Sequence, residues 1–337
     1  MLYMPTMGLE PSTSPRFVGE HEFRSLVPMS AAVAAVRDAF VAVSSTAGAG
    51  HPARIVLGDG DALAMLARLT AGGDTVVKAV TVRPSNRERG LPTIHSVLVV
   101  FDGEDGSPAL LLDGRAVTAV RTGAASAVAT DVLASRDASI LAVIGSGAQA
   151  ADQVEGVCAV REIAEVRLAS RNHATRDALA ERIGKERPDV RVTTCESPRE
   201  AVATADVICC ATTAVQPLFG ADDVKTGVHI NAIGSYTPEM CELDPLLLGA
   251  ARVIAVDQVA AALTEAGEVI RAVAAGVIAA DRLRELGAIV GEGATSFEGT
   301  TVFKSVGIAA QDWAVGTLAR RRLAAAVAPE SVGLVER

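Results

Sequence analysis

The chain has 337 residues, of which 50% are hydrophobic and only 3% aromatic, and its net charge is −9. It has no basic run of the kind that binds a phosphate backbone, no apolar stretch long enough to span a membrane, and no cationic start followed by an apolar run. We therefore expect a cytoplasmic protein with no nucleic-acid partner and no membrane partner. At roughly 150 residues per domain, the length predicts two domains.

The first part of the chain, 16–123, has the mixed pattern of an α+β unit. An Ala- and Val-rich helix is predicted over 29–43. Strands are predicted over 75–83, 93–101 and 108–112, where polar or Gly/Pro turns separate them. We expect these three strands to form an antiparallel meander.

After residue 124, short apolar runs alternate with helical segments. The runs lie at 139–144, 165–169, 190–194, 206–210, 227–233 and 252–256. Because they do not alternate apolar and polar residues, they are typical of a parallel sheet that is covered by helices on both faces. From about residue 302 the apolar spacing predicts a helix with a basic end at Arg320 to Arg322.

A glycine-rich turn directly follows the first of these runs. Gly145, Gly147 and Ala150 form a G-x-G-x-x-A sequence, and a helical stretch comes after it. In this pattern the first glycine makes a tight turn, the second lets the backbone approach a pyrophosphate, and the small third residue lets the helix pack on the strand. The phosphate charge would lie at the helix N-terminus. We predict dinucleotide binding, with a purely structural glycine turn as the alternative.

The residues at the end of the second strand distinguish NAD from NADP. An acidic residue there binds the ribose 2′-hydroxyl of NAD, whereas a cation accommodates the 2′-phosphate of NADP. Ser170, Arg171 and Asn172 occupy this place, and none of them is acidic. The sequence therefore favours NADP(H), with NAD(H) as the alternative if Arg171 is an ordinary surface residue.

Three cations stand in apolar surroundings. On the strand predicted at 75–83, Lys78 shares its face with valines. Burial lowers the pKa of an ammonium group, which can then exchange a proton near neutral pH, although a lysine on an edge strand can also extend its head to water. Arg54 and Arg121 lie in short runs of small or apolar residues. The three could clamp a substrate carboxylate, and ion pairs with Asp or Glu are the alternative for each arginine.

Five ordered motifs resemble those of the ornithine cyclodeaminase/mu-crystallin family. They are RTGAASAVAT at 121–130, GSGAQA at 145–150, ATTA at 211–214, HINAIGSYTPEMCELD at 229–244 and TTVFKSVGIAAQD at 300–312. The resemblance implies an α/β fold, in which a Rossmann dinucleotide-binding domain is joined to an α+β substrate-binding and dimerisation domain formed from both chain ends. The expected limits are 16–123 for the N-terminal part of the substrate domain, 124–301 for the Rossmann domain and 302–330 for a C-terminal helix that returns to the substrate domain. The resemblance also implies a homodimer.

The same resemblance implies roles for individual residues. Arg54, Lys78 and Arg121 fall on positions that hold the substrate carboxylate, Lys78 is also the expected catalytic residue, and Thr93 and Tyr236 are expected to complete the substrate site. The positions expected to contact the cofactor are Thr122, Gly145, Ser146, Gly147, Ala148, Gln149, Ser170, Arg171, Asn172, Ala211, Thr212, Thr213, Ile233, Gly234, Ser235 and Lys304. No metal is predicted, because the five histidines and five cysteines lack the spacing of metal ligands.

One departure from the family pattern separates two activities. Cyclodeaminases and related alanine dehydrogenases carry an acidic residue where this chain has Tyr236, and a phenol with a pKa of about 10 is not an ionised base at neutral pH. We therefore favour the mu-crystallin side of the family and predict an NAD(P)H-dependent reductase of 2-carboxy ketimines, such as pyrroline- or piperideine-2-carboxylate, that forms cyclic or N-substituted amino acids. The alternatives are an ornithine or lysine cyclodeaminase with tightly bound NAD, and a non-enzymatic ligand-binding protein.

Overall fold

The computed structural model describes residues 14–45, 51–58, 61–293 and 297–327. Its strands are β1 (Arg16–Val18), β2 (Ile55–Leu57), β3 (Ala62–Ala67), β4 (Thr75–Val82), β5 (Ile94–Phe101), β6 (Pro108–Asp113), β7 (Ile140–Ile144), β8 (Glu165–Ala169), β9 (Arg191–Cys195), β10 (Val207–Cys210), β11 (His229–Ala232), β12 (Val253–Val256), β13 (Leu283–Glu285) and β14 (Thr301–Lys304). Its helices are α1 (Glu20–Leu26), α2 (Met29–Ser45), α3 (Gly114–Leu133), α4 (Ala150–Cys158), α5 (His173–Glu186), α6 (Pro198–Val202), α7 (Pro245–Ala250), α8 (Val259–Glu265), α9 (Gly267–Ala274), α10 (Leu286–Gly291) and α11 (Ala309–Val327).

Strands β1 to β6 form a mixed sheet in the order β1-β6-β5-β4-β3-β2. The predicted meander is confirmed, because β4 pairs antiparallel with β5, and β5 pairs antiparallel with β6. Strand β1 joins the edge in parallel with β6. The sequence pattern does not predict β1, β2 and β3, because the first two have three residues each and β3 (ALAMLA) has no β-branched residue.

Helices α3 and α11 pack against this mixed sheet, and α2 packs against both of these helices. The helix predicted over 29–43 is confirmed, and its buried residues Met29, Val33, Val36 and Phe40 recur at the three- and four-residue spacing of one helix face. In the described ranges no single helix has both the length and the apolar character to cross a membrane, although α1 and α2, bent by 73° at their junction, meet that test as a pair.

Strands β7 to β14 form a second sheet in the order β13-β12-β14-β11-β10-β7-β8-β9, and all of its pairings are parallel. This confirms the α/β class and the parallel sheet predicted from the apolar runs. The strand order reverses between β7 and β10. In open α/β sheets, ligands bind at such a switch point, outside the carboxyl ends of the strands.

The C-terminal helix begins later than the sequence predicts. Residues 301–304 form β14, which pairs with β11 and β12 in the parallel sheet, and α11 starts only at Ala309. Because α11 continues to Val327, Arg320 to Arg322 lie inside the helix and not at its end. Residues 328–330 lie outside the described residues. The expected domain limits stay predictions, and the limit at 123 falls within α3.

Helix α3 connects the two sheets. It begins directly after β6, where the Asp113 side chain accepts hydrogen bonds from two backbone N–H groups of the first turn. Its backbone touches α4 at a crossing of two glycines: a Cβ on Gly123 would lie 2.3 Å from the carbonyl oxygen of Asp152, and one on Gly156 would lie 2.3 Å from the carbonyl oxygen of Gly123. The helix that follows the glycine-rich turn is thus held directly against α3.

Candidate active site

Lys78 projects from β4 into the space between the mixed sheet and α11. As the strand alternation predicts, Val76 shares its buried face. The Lys78 Nζ atom lies 2.8 Å from both carboxylate oxygens of Asp312, and Lys78 is only 3% exposed. An edge-strand lysine with its head in water is therefore excluded.

The surroundings of Lys78 bring its proton exchange close to neutral pH. Burial, which penalises the charged ammonium, lowers the pKa of Lys78 to about 8, and the nearby Arg121 and Arg54 guanidinium groups act in the same direction. The Asp312 carboxylate opposes this shift by stabilising the charged form. Lys78 is thus protonated at neutral pH but gives up its proton far more easily than an exposed lysine does.

Arg121 lies on α3 beside the same carboxylate. Its Nη1 donates to Oε1 of Gln311 at 2.5 Å, and its Nε lies 3.4 Å from Oδ1 of Asp312. The guanidinium also covers Gly307, whose φ is +80°, and a Cβ there would come within 2.6 Å of Nη1. Only glycine fits at this position.

Arg54 contacts the same stretch of chain. Its Nη2 donates to the carbonyl oxygens of Val306 at 2.7 Å and Gly307 at 2.9 Å, and it lies 2.8 Å from Oε2 of Glu265. Lys78, Arg54 and Arg121 therefore meet around residues 305–312, which we call the anchor segment. The ion-pair alternative for the two arginines also holds in part, because Arg54 pairs with Glu265 and Arg121 lies near Asp312.

A buried acid fixes the start of the anchor segment. Oδ2 of Asp257, which follows β12, accepts hydrogen bonds from the Ser305 hydroxyl at 2.9 Å, the Val306 N–H at 3.0 Å and the Gly307 N–H at 2.7 Å. These bonds hold the Val306 and Gly307 carbonyls in the orientation that Arg54 requires.

The glycine-rich turn has the geometry of a phosphate site. Gly145 leads out of β7 with a φ of +110°, and a Cβ there would lie 2.5 Å from the carbonyl oxygen of Ala211. Gly147 and Ala148 are exposed, with open space where a Gly147 Cβ would point. Gln149 precedes α4 and provides no side-chain cap, which leaves the first N–H groups of a nine-residue helix without a side-chain acceptor. These features fit a dinucleotide pyrophosphate.

Polar side chains gather where β7 and β8 end. The Ser146 hydroxyl is 2.8 Å from that of Ser170 and 2.6 Å from that of Thr175. Asn172 caps α5 through a hydrogen bond from the Thr175 N–H. The Arg171 side chain is exposed and makes no hydrogen bond or ion pair with any residue in the described part of the chain.

The loops after β10 and β11 meet on a single carboxylate. Oε1 of Glu242 accepts from the N–H and the hydroxyl of Thr212, at 2.6 and 2.8 Å, and Oε2 accepts from the N–H groups of Gly234 and Ser235, at 2.7 and 3.1 Å. Gly234 permits this approach, since a Cβ there would lie 2.2 Å from the Thr212 carbonyl oxygen. Of their neighbours, Thr213 is exposed and Ile233 is buried.

Two residues expected to contact the cofactor have other partners. Lys304 has no exposed surface, and its Nζ bonds to the carbonyl oxygen of Ser235 at 2.6 Å and to its hydroxyl at 2.5 Å, with Glu268 at 3.3 Å. It supports the loop after β11, and its expected contact with the cofactor stays a prediction. Thr122 is buried in α3, and its hydroxyl donates to the carbonyl of Thr118.

Among the described residues, no hydrogen bond links Thr93 or Tyr236 to Lys78. The register of β4 and β5 pairs Lys78 with Leu98, so Thr93 lies five positions further along, or roughly 16 Å at about 3.3 Å per residue. The expected role of Thr93 in the substrate site stays a prediction. Tyr236 follows Ser235 and packs, half buried, against the core of the parallel sheet.

Sequence reasoning missed the acids and amides that hold these cations and loops. Gln311, Asp312, Asp257, Glu242 and Glu268 are all buried. Each of these five side chains stands in or beside an apolar stretch of the sequence. A polar residue in such a stretch is the sequence signal for them, because a buried polar or charged group requires a partner. In the part of the chain that the structure describes, no group of three or more His, Cys, Asp and Glu side chains could hold a metal ion.

Known proteins share this arrangement of two sheets. The model of the ornithine cyclodeaminase/mu-crystallin family matches residues 15–326. The Delta(1)-pyrroline-2-carboxylate reductase of Bacillus cereus is 39% identical over 240 residues, which cover 70% of this chain and 73% of the relative. The structure of the Thermococcus litoralis Delta(1)-pyrroline-2-carboxylate reductase in complex with NADH and L-proline superposes with a TM-score of 0.86 at 30% identity, covering 92% of this chain and 98% of that one. An archaeal alanine dehydrogenase dimer with bound NAD gives a TM-score of 0.84 at 29% identity, covering 93% and 97%.

Both the extent of the family match and the identity to the Bacillus cereus relative exceed what a shared fold alone would give. The five motifs that suggested the family lie at the glycine-rich turn, in α3, at the ends of β10 and β11 and in the anchor segment. The chain therefore belongs to the ornithine cyclodeaminase/mu-crystallin family.

Proposed function

We propose that this protein is an NAD(P)H-dependent reductase of 2-carboxy ketimines of the pyrroline- or piperideine-2-carboxylate type, which forms cyclic or N-substituted amino acids. The observation that carries the proposal is the convergence of Lys78, Arg54 and Arg121 on the anchor segment, with the pKa of Lys78 lowered to about 8. The similarity to the Bacillus cereus and Thermococcus litoralis relatives supports it, because both are named Delta(1)-pyrroline-2-carboxylate reductase.

The cation cluster and the glycine-rich turn share one edge of the parallel sheet. The anchor segment follows β14, which is parallel to β11, β10 and β7 in turn. The carboxyl ends of these strands therefore lie at the same edge, where ligands bind in open α/β sheets. This common edge would bring a substrate held by the cations next to a bound dinucleotide.

The exposure of the three cations orders them from the surface inward. The Arg54 side chain is 12% exposed, that of Arg121 is 9% and that of Lys78 is 3%. Two buried donors near them, Nε of Arg121 and Nε2 of Gln311, have no hydrogen-bond acceptor in the described ranges, and buried donors normally have one. We assign the substrate carboxylate to Arg54 and Arg121 and the imine nitrogen to the deeper Lys78.

Lys78 supplies the proton that reduction of a C=N bond requires. Its Nζ would donate to the imine nitrogen, which makes the imine carbon a better electrophile and leaves an amine after reduction. Asp312 keeps Lys78 charged until this transfer, and the neutral lysine regains a proton from solvent. The bound nicotinamide would supply the hydride.

The cofactor is proposed to be NADP(H), with NAD(H) as the alternative. Arg171 lies where the 2′-phosphate of NADP is recognised, has no protein partner among the described residues, and has no acidic neighbour in the Ser170–Asn172 stretch. The relatives of known structure contain NADH and NAD, so the choice depends on this chain's own residues.

The outer face of the mixed sheet is proposed as a homodimer interface. A row of apolar residues in register crosses five strands on the face opposite Lys78. The row consists of Phe17, Leu111, Val99, Val77 and Leu66. Phe17 is 63% exposed, and Ile55 and Leu57 at the sheet edge are also exposed. A continuous apolar face of this kind marks an interaction surface, and Val99→Lys should convert a dimer to a monomer in analytical ultracentrifugation.

We also propose a cytoplasmic location, which the five cysteines without a disulfide support.

Cofactor consumption tests the proposed activity. Incubation with NADPH and either pyrroline-2-carboxylate or piperideine-2-carboxylate should oxidise one NADPH for each cyclic amino acid formed. A cyclodeaminase would instead release ammonia from ornithine or lysine with no net change in cofactor. Failure to oxidise NADPH or NADH with either imine, from about pH 5 to pH 8, would overturn the proposal.

A further inference from the structure

The Glu242 carboxylate joins two loops that lie far apart in sequence. Thr212 follows β10, and Gly234 and Ser235 follow β11. All four donors that Glu242 accepts come from these three residues, one loop bonding to each carboxylate oxygen. Glu242 itself has no exposed surface, so water cannot replace it.

Only a carboxylate suits this position. Three of the four donors are backbone N–H groups, which cannot reverse their role and become acceptors. A glutamine would direct its NH2 group at one pair of these donors, and an aspartate is one methylene shorter. Hydrogen bonds to an ionised carboxylate are also stronger than those between neutral groups.

A second layer supports the same loop from below. Lys304 bonds to the carbonyl and hydroxyl of Ser235, and the Ser235 hydroxyl donates to Glu268 at 2.6 Å. This layer touches only the loop after β11. Two backbone hydrogen bonds also join the loops, from the Cys241 N–H to the Ala214 carbonyl and from the Leu218 N–H to the Glu242 carbonyl. The Glu242 side chain is the group that fixes the first residues of both loops, directly after β10 and β11.

The two loops lie on one side of the switch point. The glycine-rich turn and Ser170–Asn172 follow β7 and β8, on the side that holds the pyrophosphate and the adenosine ribose in a Rossmann fold. Strands β10 and β11 lie across the reversal of strand order, where the other half of a dinucleotide binds.

We propose that Glu242 is a positioning residue for the nicotinamide half of the cofactor site, because it holds the loops after β10 and β11 in one fixed arrangement. The inference rests on the proposed dinucleotide function. Glu242 turns the N–H groups of Thr212, Gly234 and Ser235 into the protein, so the ligand meets the opposite side of each peptide. Without the Glu242 side chain these N–H groups lose the acceptor that sets their orientation, so the nicotinamide loses its fixed position while the adenosine half keeps its own.

Fragment binding separates this role from a general loss of structure. The Kd values of NADPH and of adenosine 2′,5′-bisphosphate, which lacks the nicotinamide half, are measured by calorimetry for the wild type, Glu242→Gln and Glu242→Asp. Glu239→Gln is the matched control, because Glu239 is an exposed glutamate in the same loop. We expect Glu242→Gln to raise the NADPH Kd by about tenfold or more and to lower kcat, with the fragment Kd changed by less than about twofold. Glu242→Asp should fall between Glu242→Gln and the wild type.

The outcomes are distinguishable. Equal weakening of both ligands, or no change in either, would overturn the positioning role of Glu242. Wild-type protein that binds neither ligand would overturn the cofactor site, and the proposed function with it. Should Glu242→Gln fail to fold, the same comparison of two Kd values in Glu242→Asp decides the question.

Discussion

Replacing Asp312 by asparagine should lower the pKa of Lys78 and shift the activity of the enzyme toward acid pH. The substitution keeps the shape of the side chain but removes the negative charge 2.8 Å from Nζ. Desolvation of Lys78, the largest cause of its lowered pKa, remains in the variant, whereas the main opposing effect is lost.

The size of the shift follows from the geometry. Two unit charges 2.8 Å apart attract by about 6 kcal/mol at an effective dielectric constant of about 20. Because one pKa unit corresponds to about 1.4 kcal/mol, even a quarter of this attraction is worth about one unit. The pKa of Lys78 should thus fall from about 8 to about 7 or below.

The assay is the pH dependence of kcat/KM for imine reduction in the wild type and in Asp312→Asn. Titration of the substrate imine affects both enzymes equally. A shift of one unit lowers the relative kcat/KM by about fivefold at pH 8 and about tenfold at pH 9, and changes it little at pH 6. Asp177→Asn, which alters an exposed aspartate of α5, serves as the control. An alkaline limb at the wild-type position, or a loss of equal size at every pH, would refute the reasoning.

The other predictions concern the proton donor, the cofactor and the helix crossing. Lys78→Met should reduce kcat by about a hundredfold or more while the Kd of NADPH, followed by its fluorescence, stays within about twofold; turnover that survives would exclude Lys78 as the proton donor. Arg171→Ala should raise the Kd of NADPH by about tenfold and leave that of NADH unchanged, and parallel changes in both would argue against a 2′-phosphate contact. Gly123→Ala should lower the free energy of unfolding, measured in urea, by about 1–3 kcal/mol, because the new Cβ would meet the Asp152 carbonyl. The control Gly184→Ala, at an open helical position, should raise the free energy of unfolding by about 0.5 kcal/mol.

The parallel sheet could be predicted where its strands carry a local signal. The runs that became β7 and β10 are apolar throughout and are separated by helices, as a sheet covered on both faces requires. Strand β14 (TVFK) is also buried, but its place between β11 and β12 depends on pairing with strands that precede it by about 45 residues or more. Local periodicity does not contain that information, and it predicts one helix from about residue 302 onward.

The site could be predicted in part for the same reason. The period of two along β4 places Lys78 on the inner face, and that placement is confirmed. Its partner Asp312 is 234 residues away, and no spacing rule connects them. Alternation along a strand indicates the face on which a residue lies, but not its distance from a residue on the neighbouring strand. It therefore does not predict that Thr93 lies at the other end of the strand pair from Lys78.

The path of α3 limits how the protein can be recombined with its relatives. A chimera joined between residues 123 and 124 would place its seam inside this helix, two residues after Arg121 and at the glycine that touches α4. The nucleotide-binding half is thus not an independent cassette, since Arg121 and the anchor segment belong to the two stretches of chain that link the sheets. Exchanges between relatives should keep α3, β14 and α11 from a single parent.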